Sequence, residues 1–133
     1  MAQRLDHIGV VVSDLEGMEA LLQDVLGLQL VRSRDLPDMR TRFYACGQAE
    51  IELIQPTTEE ARAQRLGSAT ATIEHIAIQV DDLAAKLAEV APKGVRLTSD
   101  EPLVIGPNRT SFTAPASTGG IRFQFLQKDA SST

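Results

Sequence analysis

Leu5-Asp6-His7-Ile8-Gly9-Val10-Val11-Val12-Ser13-Asp14-Leu15 returns 68 residues later as Ile73-Glu74-His75-Ile76-Ala77-Ile78-Gln79-Val80-Asp81-Asp82-Leu83, with the apolar, acidic, His and Asp-Leu positions all in register. His7 and His75 are the two histidines of the chain. A repeat of this kind reads as a duplicated module. Pseudo-twofold packing of two copies brings equivalent residues together, so histidines at one equivalent position suggest a shared two-His metal site.

Working outward, each copy reads as a strand, a helix and then three strands. Residues 5–12 are rich in β-branched side chains and stop at Ser13-Asp14, which is helix N-cap chemistry. Leu15, Met18, Leu22 and Val25 then recur at three- and four-residue steps, and Gly27 supplies a left-handed stop. Leu83, Leu87 and Val90 repeat the pattern and end near Pro92 and Gly94. Leu28–Val31 and Val95–Leu97 are expected as matching strands, each followed by a loop, Asp35 to Asp38 and Asp100 to Pro102. Hairpins follow: Arg42-Phe43-Tyr44 turns through Gly47 into Glu50–Ile54, and Ser111-Phe112-Thr113 through Gly119-Gly120 into Arg122–Leu126. The expectation is an α+β fold of two βαβββ modules in a single domain over residues 1–133. Module 1 covers about 5–56, and a polar linker, 57–72, has a short helix around Glu59–Leu66. Module 2 covers about 73–127, and a solvated tail occupies 128–133.

Composition narrows the function. The chain has 133 residues, is 43% hydrophobic and 23% charged, and carries a formal net charge of −5. Such a chain can bury a core, and it has no basic stripe with which to neutralise phosphates, so nucleic acid is excluded as a partner. No apolar run reaches the ~18–20 residues of a membrane span and no signal-peptide pattern opens the chain, which makes a cytoplasmic protein the expectation. The single cysteine, Cys46, fits a reducing compartment and is expected beside a turn rather than as a nucleophile.

Strand alternation decides where the polar groups point. Asp6, Ile8, Val10 and Val12 share the side suited to the helix, which leaves His7 with Leu5, Gly9 and Val11 on the other. His75 likewise falls with Ala77 and Gln79, opposite Ile76, Ile78 and Val80. Glu52 interrupts Ile51-Leu53-Ile54, where an apolar residue is cheaper, and its equivalent is Gln124. A lone strand histidine is ordinarily structural and a lone strand glutamate ordinarily solvated. Here the coincidence occurs in both copies at the same places. His7, Glu52, His75 and Gln124 make a nitrogen and oxygen donor set suited to Mn, Co, Ni, Zn or Fe(II).

These residues, together with Asp24-Val25-Leu26-Gly27-Leu28, Ile51-Glu52-Leu53-Ile54-Gln55-Pro56 and Ser117-Thr118-Gly119-Gly120, resemble the vicinal oxygen chelate superfamily. The likeness covers about residues 5–127, and is nearest to methylmalonyl-CoA epimerase-like members, with glyoxalase I-like members next. It implies a cupped, incompletely closed β-sheet with helices on the outside. It also implies a divalent metal on His7, Glu52, His75 and residue 124. The departure is at residue 124: similar epimerases and glyoxalases carry Glu there, as ligand and proton carrier, whereas Gln124 can ligate but cannot accept a proton. Ala114-Pro115-Ala116 departs too, since the epimerase-like segment usually reads His-Pro-Lys, which weakens the case for a CoA thioester.

The resemblance thus implies a metal-dependent isomerase or lyase abstracting a proton alpha to a carbonyl, and Glu52, the one carboxylate expected at the metal, is the best candidate for the catalytic base. Asn108 and Arg109 are expected to border the substrate pocket. Arg42, Arg109 and Arg122 are candidates to balance an anionic substrate, against surface solvation as the ordinary role of each, and Asp35 or Asp38 is a candidate loop acid. The partner is a small molecule, with a CoA or other thioester among the candidates, and a homodimer is expected. The alternatives are a non-catalytic, drug-sequestering binding protein on the same scaffold and then an extradiol-type dioxygenase.

Overall fold

The structure is a computed structural model describing residues 3–128. Its contacts group into two compact units, one spanning His7–Glu74 and the other taking the residues up to Asp6 together with those from His75 onward. The divide therefore runs inside the two repeated strands, and the 57–72 linker belongs to the first unit. The fold is α+β, and the order strand, helix, three strands occurs twice.

The first copy comprises β1 (Gln3–Val12), α1 (Leu15–Ala20), β2 (Gln29–Leu36), β3 (Met39–Cys46) and β4 (Ala49–Pro56), with strands in the order β2-β3-β4-β1. The strand β1 pairs in parallel with β4, while β2–β3 and β3–β4 are antiparallel hairpins. After α2 (Glu59–Arg65), the second copy comprises β5 (Ala71–Val80), α3 (Leu83–Val90), β6 (Leu103–Ile105), β7 (Asn108–Phe112) and β8 (Arg122–Gln127), in the order β5-β8-β7-β6. Again the first and last strands, β5 and β8, are parallel. A parallel pair needs a long crossover, and the helix within each crossover covers one face of its sheet.

Both helices start as their sequences dictate. Asp14 accepts from the Gly17 amide and Asp82 from the Ala85 amide, each at 3.0 Å. Equivalent glutamines hold the two starts to the last strands: Gln55 Nε2 donates to the Ser13 carbonyl at 2.9 Å, and Gln127 Oε1 accepts from the Leu83 amide at 2.8 Å. Beneath α1 lie Val12, Leu15, Leu22, Tyr44 and Leu53, with Val10, Met18, Leu28 and Ile51 against them. Beneath α3 lie Val80, Leu83 and Phe125, with Ile78, Leu87 and Val90. A third cluster of Val11, Ile54 and Leu66, with Met39, lies on the opposite side of the first sheet and anchors the end of α2.

Three expectations are corrected. Val25 is 71% exposed rather than on the buried stripe. Past Ala20 the helix widens into a π turn, Leu21–Val25, closed by Leu26 N–H to the Leu21 carbonyl. This wider turn swings Val25 outward and leaves Leu28, beyond left-handed Gly27 (φ 74°), to fill the cluster. The strand expected at Leu28–Val31 runs on through Asp35 to Leu36, with a bulge between Leu30 and Arg32. Finally, Val95–Leu97 is no strand; Leu97 makes one isolated bridge to Thr113, and the edge strand is β6. Between that bridge and the Leu103–Thr110 pair, residues 98–102 face Ser111 and Phe112 alone, an excursion ending at Pro102, which has no N–H for a ladder.

Of the expected tail, Lys128 pairs with Asp6 at 2.9 Å, and residues 129–133 lie outside the described residues. Among the described residues no helix is long and apolar enough to cross a membrane.

Candidate functional site

In the first unit the parallel register of β1 on β4 sets Gly9 beside Glu52, and the antiparallel register of β3 on β4 sets Phe43 beside Glu52. Val10 and Val12 pack toward α1 and Val11 packs on the other side, so alternation turns His7 and Glu52 away from the helix, as expected. There His7 Nε2 stands 3.5 Å from Glu52 Oε1, and the edge of one ring meets the face of the other between His7 and Phe43, centroids 6.1 Å apart at 82°. The His–Glu separation is longer than a good hydrogen bond and is that of two donors to one ion.

The second unit repeats the frame residue for residue. Ala77 and Phe112 are the register partners of Gln124, and His75 meets Phe112 at 5.8 Å and 89°. All four polar side chains are buried: His7 is 7% exposed, Glu52 7%, His75 4% and Gln124 6%.

Gln124 is oriented by its neighbour. Thr110 Oγ1 lies 2.9 Å from the Phe125 carbonyl, which can only accept, so the single hydroxyl proton is committed there. The Gln124 amide atom 2.9 Å from that same Oγ1 is therefore the donor Nε2. Gln124 Oε1 is left buried with no hydrogen-bond partner. Leaving such an acceptor unmet costs about 1–3 kcal/mol. An orphaned carbonyl oxygen on the imidazole side of the sheet is the donor a divalent cation requires, so the residues present fit a metal of nitrogen and oxygen preference.

The remaining sequence candidates divide. Asp35, on β2 opposite Arg40, accepts from Arg42 Nη1 at 2.8 Å, and Arg42 alternates with Phe43 onto the α1 side. Asp35 is thus carried away from Glu52, and the Arg42 hydrogen bond, against a smaller effect of burial, holds its carboxyl below the usual value. Asp38 sits in the β2–β3 turn, its carbonyl accepting from the Thr57 amide. Asn108 begins β7 on the same side as Thr110 and Phe112, and Arg109 alternates to the other side and is exposed. Cys46 ends β3 beside Gly47 and is exposed. Sequence reasoning missed Thr110 and the two phenylalanines, although strand parity places each on the histidine side. It also missed Arg65, whose guanidinium grips Glu74 at 2.8 and 2.9 Å; that pairing raises its pKa, with smaller contributions from Glu52 and Asp38.

Residues 6–113 match the family model described as the Glyoxalase/Bleomycin resistance protein/Dioxygenase superfamily. The chain belongs to this superfamily. Among similar proteins, mouse mitochondrial methylmalonyl-CoA epimerase is 27% identical over 133 residues, covering 93% of this chain and 72% of that one. An ethylmalonyl-CoA/methylmalonyl-CoA epimerase from Cereibacter sphaeroides is 29% identical over 109 residues, covering 78% and 81%. Of solved structures, methylmalonyl-CoA epimerase from Mycobacterium tuberculosis superposes with TM-score 0.84 at 27% identity, over 96% of this chain and 89% of that one. A hypothetical protein from Bacillus halodurans superposes with TM-score 0.85 at 30% identity, over 97% and 96%.

Proposed function

We propose that this superfamily member is an epimerase-type enzyme that removes a proton alpha to a carbonyl, with His7, Glu52, His75 and Gln124 holding one divalent ion. The observation that carries the reading is the orphaned Gln124 Oε1, buried at the position equivalent to Glu52 in a frame whose histidine and phenylalanine are matched in both units. His7, Glu52 and His75 support it as buried groups that each offer one ligand atom. The similarity to methylmalonyl-CoA epimerases supports the reaction type and makes an acyl thioester the substrate class to try first. When bound, the ion supplies Lewis-acid polarisation of a substrate carbonyl and so acidifies the adjacent C–H.

The protein groups do the rest. Glu52 is the carboxylate of the set and takes the proton: Oε1 faces His7, and a carboxylate has a second oxygen with which to accept. Phe43 and Phe112 fix the two imidazoles edge-on. Gln124 is neutral, contributes a carbonyl oxygen and moves no proton, so the chemistry is one-sided with respect to base.

That same amide favours the sequestering reading as second choice, since a site with one base is nearer to a binder than a site with two. Incubating protein of measured metal content with methylmalonyl-CoA in deuterium oxide separates the two readings. Deuterium at the alpha carbon supports the enzyme, and tight binding without exchange supports sequestration and overturns the proposal.

A further inference from the structure

Of the three arginines that the sequence offers for an anion, one is engaged elsewhere and one is exposed on the other side of its strand. Arg42 donates from Nη1 to Asp35 and to the Thr41 carbonyl, both at 2.8 Å, and its Nε faces Glu19 at 3.7 Å. Arg109 is exposed and alternates with Thr110 away from Gln124. Arg122 differs. It is the register partner of His75, lies two residues before Gln124 on the same side of β8, and has a buried Nε with no hydrogen-bond partner. A guanidinium keeps its charge at any ordinary pH, so a buried N–H of this kind stays costly until an acceptor arrives.

The first unit shows the answered form of the same position. There the register partner of His7 is Glu50, which Arg32 grips with two hydrogen bonds of 2.9 Å while lying 3.9 Å over the Phe43 ring. An acid closed by an arginine thus stands where the second unit has an arginine whose Nε awaits an acceptor.

We infer that Arg122 is the specificity residue that binds a carboxylate on the acyl part of the substrate, an inference that deepens the epimerase reading and rests on it. The planar fork of an arginine matches a carboxylate in two parallel hydrogen bonds. Two strand residues span about 6.6 Å, so an anion held by Arg122 lies near whatever Gln124 holds and belongs to the reacting acyl group rather than to a distant phosphate.

The test is calorimetric titration of the purified protein with methylmalonate, propionate and inorganic phosphate, alongside elemental analysis and thermal melts. Methylmalonate should bind more tightly than propionate or phosphate. Arg122→Gln should weaken methylmalonate roughly 10- to 100-fold with metal content unchanged, Arg122→Lys should recover part of the loss, and Arg109→Gln should change nothing. Wild-type affinity in Arg122→Gln overturns the assignment. So does wild-type affinity in Arg122→Lys if the Gln variant fails to fold, or phosphate binding more tightly than methylmalonate. Failure of the epimerase reading looks different: no deuterium exchange, with Arg122-dependent binding of methylmalonate intact.

Discussion

Set side by side, the two units keep the same frame and change what hangs from it. His7, Phe43 and the residue beside Gly9 correspond to His75, Phe112 and the residue beside Ala77, with matching ring geometry. Yet the residue beside Gly9 is a carboxylate next to its imidazole, and the residue beside Ala77 is an amide tied to a threonine. At the flanking register position, Glu50 is closed by Arg32 and Arg122 has an open Nε. The strand frame keeps the imidazoles placed, and on the function proposed above the side chains added to it would divide the labour: proton transfer in one unit, neutral ligation and anion recognition in the other.

The largest effect tests that division directly. Glu52→Gln should lower the rate of alpha-deuterium incorporation by about 10²–10⁴-fold, read by mass spectrometry, whereas Gln124→Glu should retain exchange. Equal losses in the two variants would erase the distinction between the units. The Glu variant has its own cost: it has no N–H for Thr110, so the hydroxyl must leave the Phe125 carbonyl or face a carboxylate lone pair, worth about 1 kcal/mol of stability in a urea melt. The histidines should behave alike, because the frame around them is alike. His7→Ala and His75→Ala should each abolish stoichiometric divalent metal by elemental analysis while the fold persists by circular dichroism, since the apolar clusters under α1 and α3 contain neither residue. Full metal content in both variants would remove the site.

A smaller effect separates the equivalent threonines, Thr41 and Thr110, both fully buried. Thr110 Oγ1 accepts from the Gln124 amide at 2.9 Å, whereas Thr41 Oγ1 donates to the Arg34 carbonyl at 3.3 Å. Thr110→Val should therefore weaken metal binding about 10- to 100-fold in a competitive titration, and Thr41→Val should alter stability alone. Equal metal affinity in the two variants would show that Gln124 holds its orientation unaided.

How legible this was depended on whether a feature repeats or needs a partner. The histidines, Glu52 and Gln124 were placed on the correct side because alternation is local and the repeat states it twice. The extent of β2 was not legible: Arg32 to Leu36 form an exposed edge with no buried face, and so carry no apolar alternation. Val95–Leu97 has two apolar residues around Arg96 and Leu103–Ile105 is apolar throughout, and only the ladder to β7 chooses between them. Val25 failed because the 3.6-residue period was carried into a π turn. Thr110, and the choice of Arg122 over Arg42, rest on what a neighbouring strand offers as donor or acceptor, which one segment of sequence does not contain.

The smallest effect lies on the helix side, where the units differ again: Tyr44 in the first corresponds to Thr113 in the second. The Tyr44 hydroxyl donates to Glu19 and accepts from Gln23 Nε2 at 2.7 Å, tying the α1 and π-turn segment to β3. Burial, and then the hydrogen bond to Glu19, raise the phenol above its ordinary pKa near 10, with Gln23 acting in the opposite sense. With the folded pKa above the unfolded one, this group's contribution to stability is complete below about pH 10 and is lost as pH rises through the folded value. Tyr44→Phe should thus cost about 1–2 kcal/mol in urea melts near pH 8, and the gap to the unaltered protein should narrow near pH 11. Thr113→Val breaks its bond to the Phe123 amide, but it has no group titrating in that range, so its cost should stay flat. A Tyr44 gap that is equally flat would mean that the fold does not hold the phenol in its neutral form, and the helix-side asymmetry between the units would then be one of packing alone.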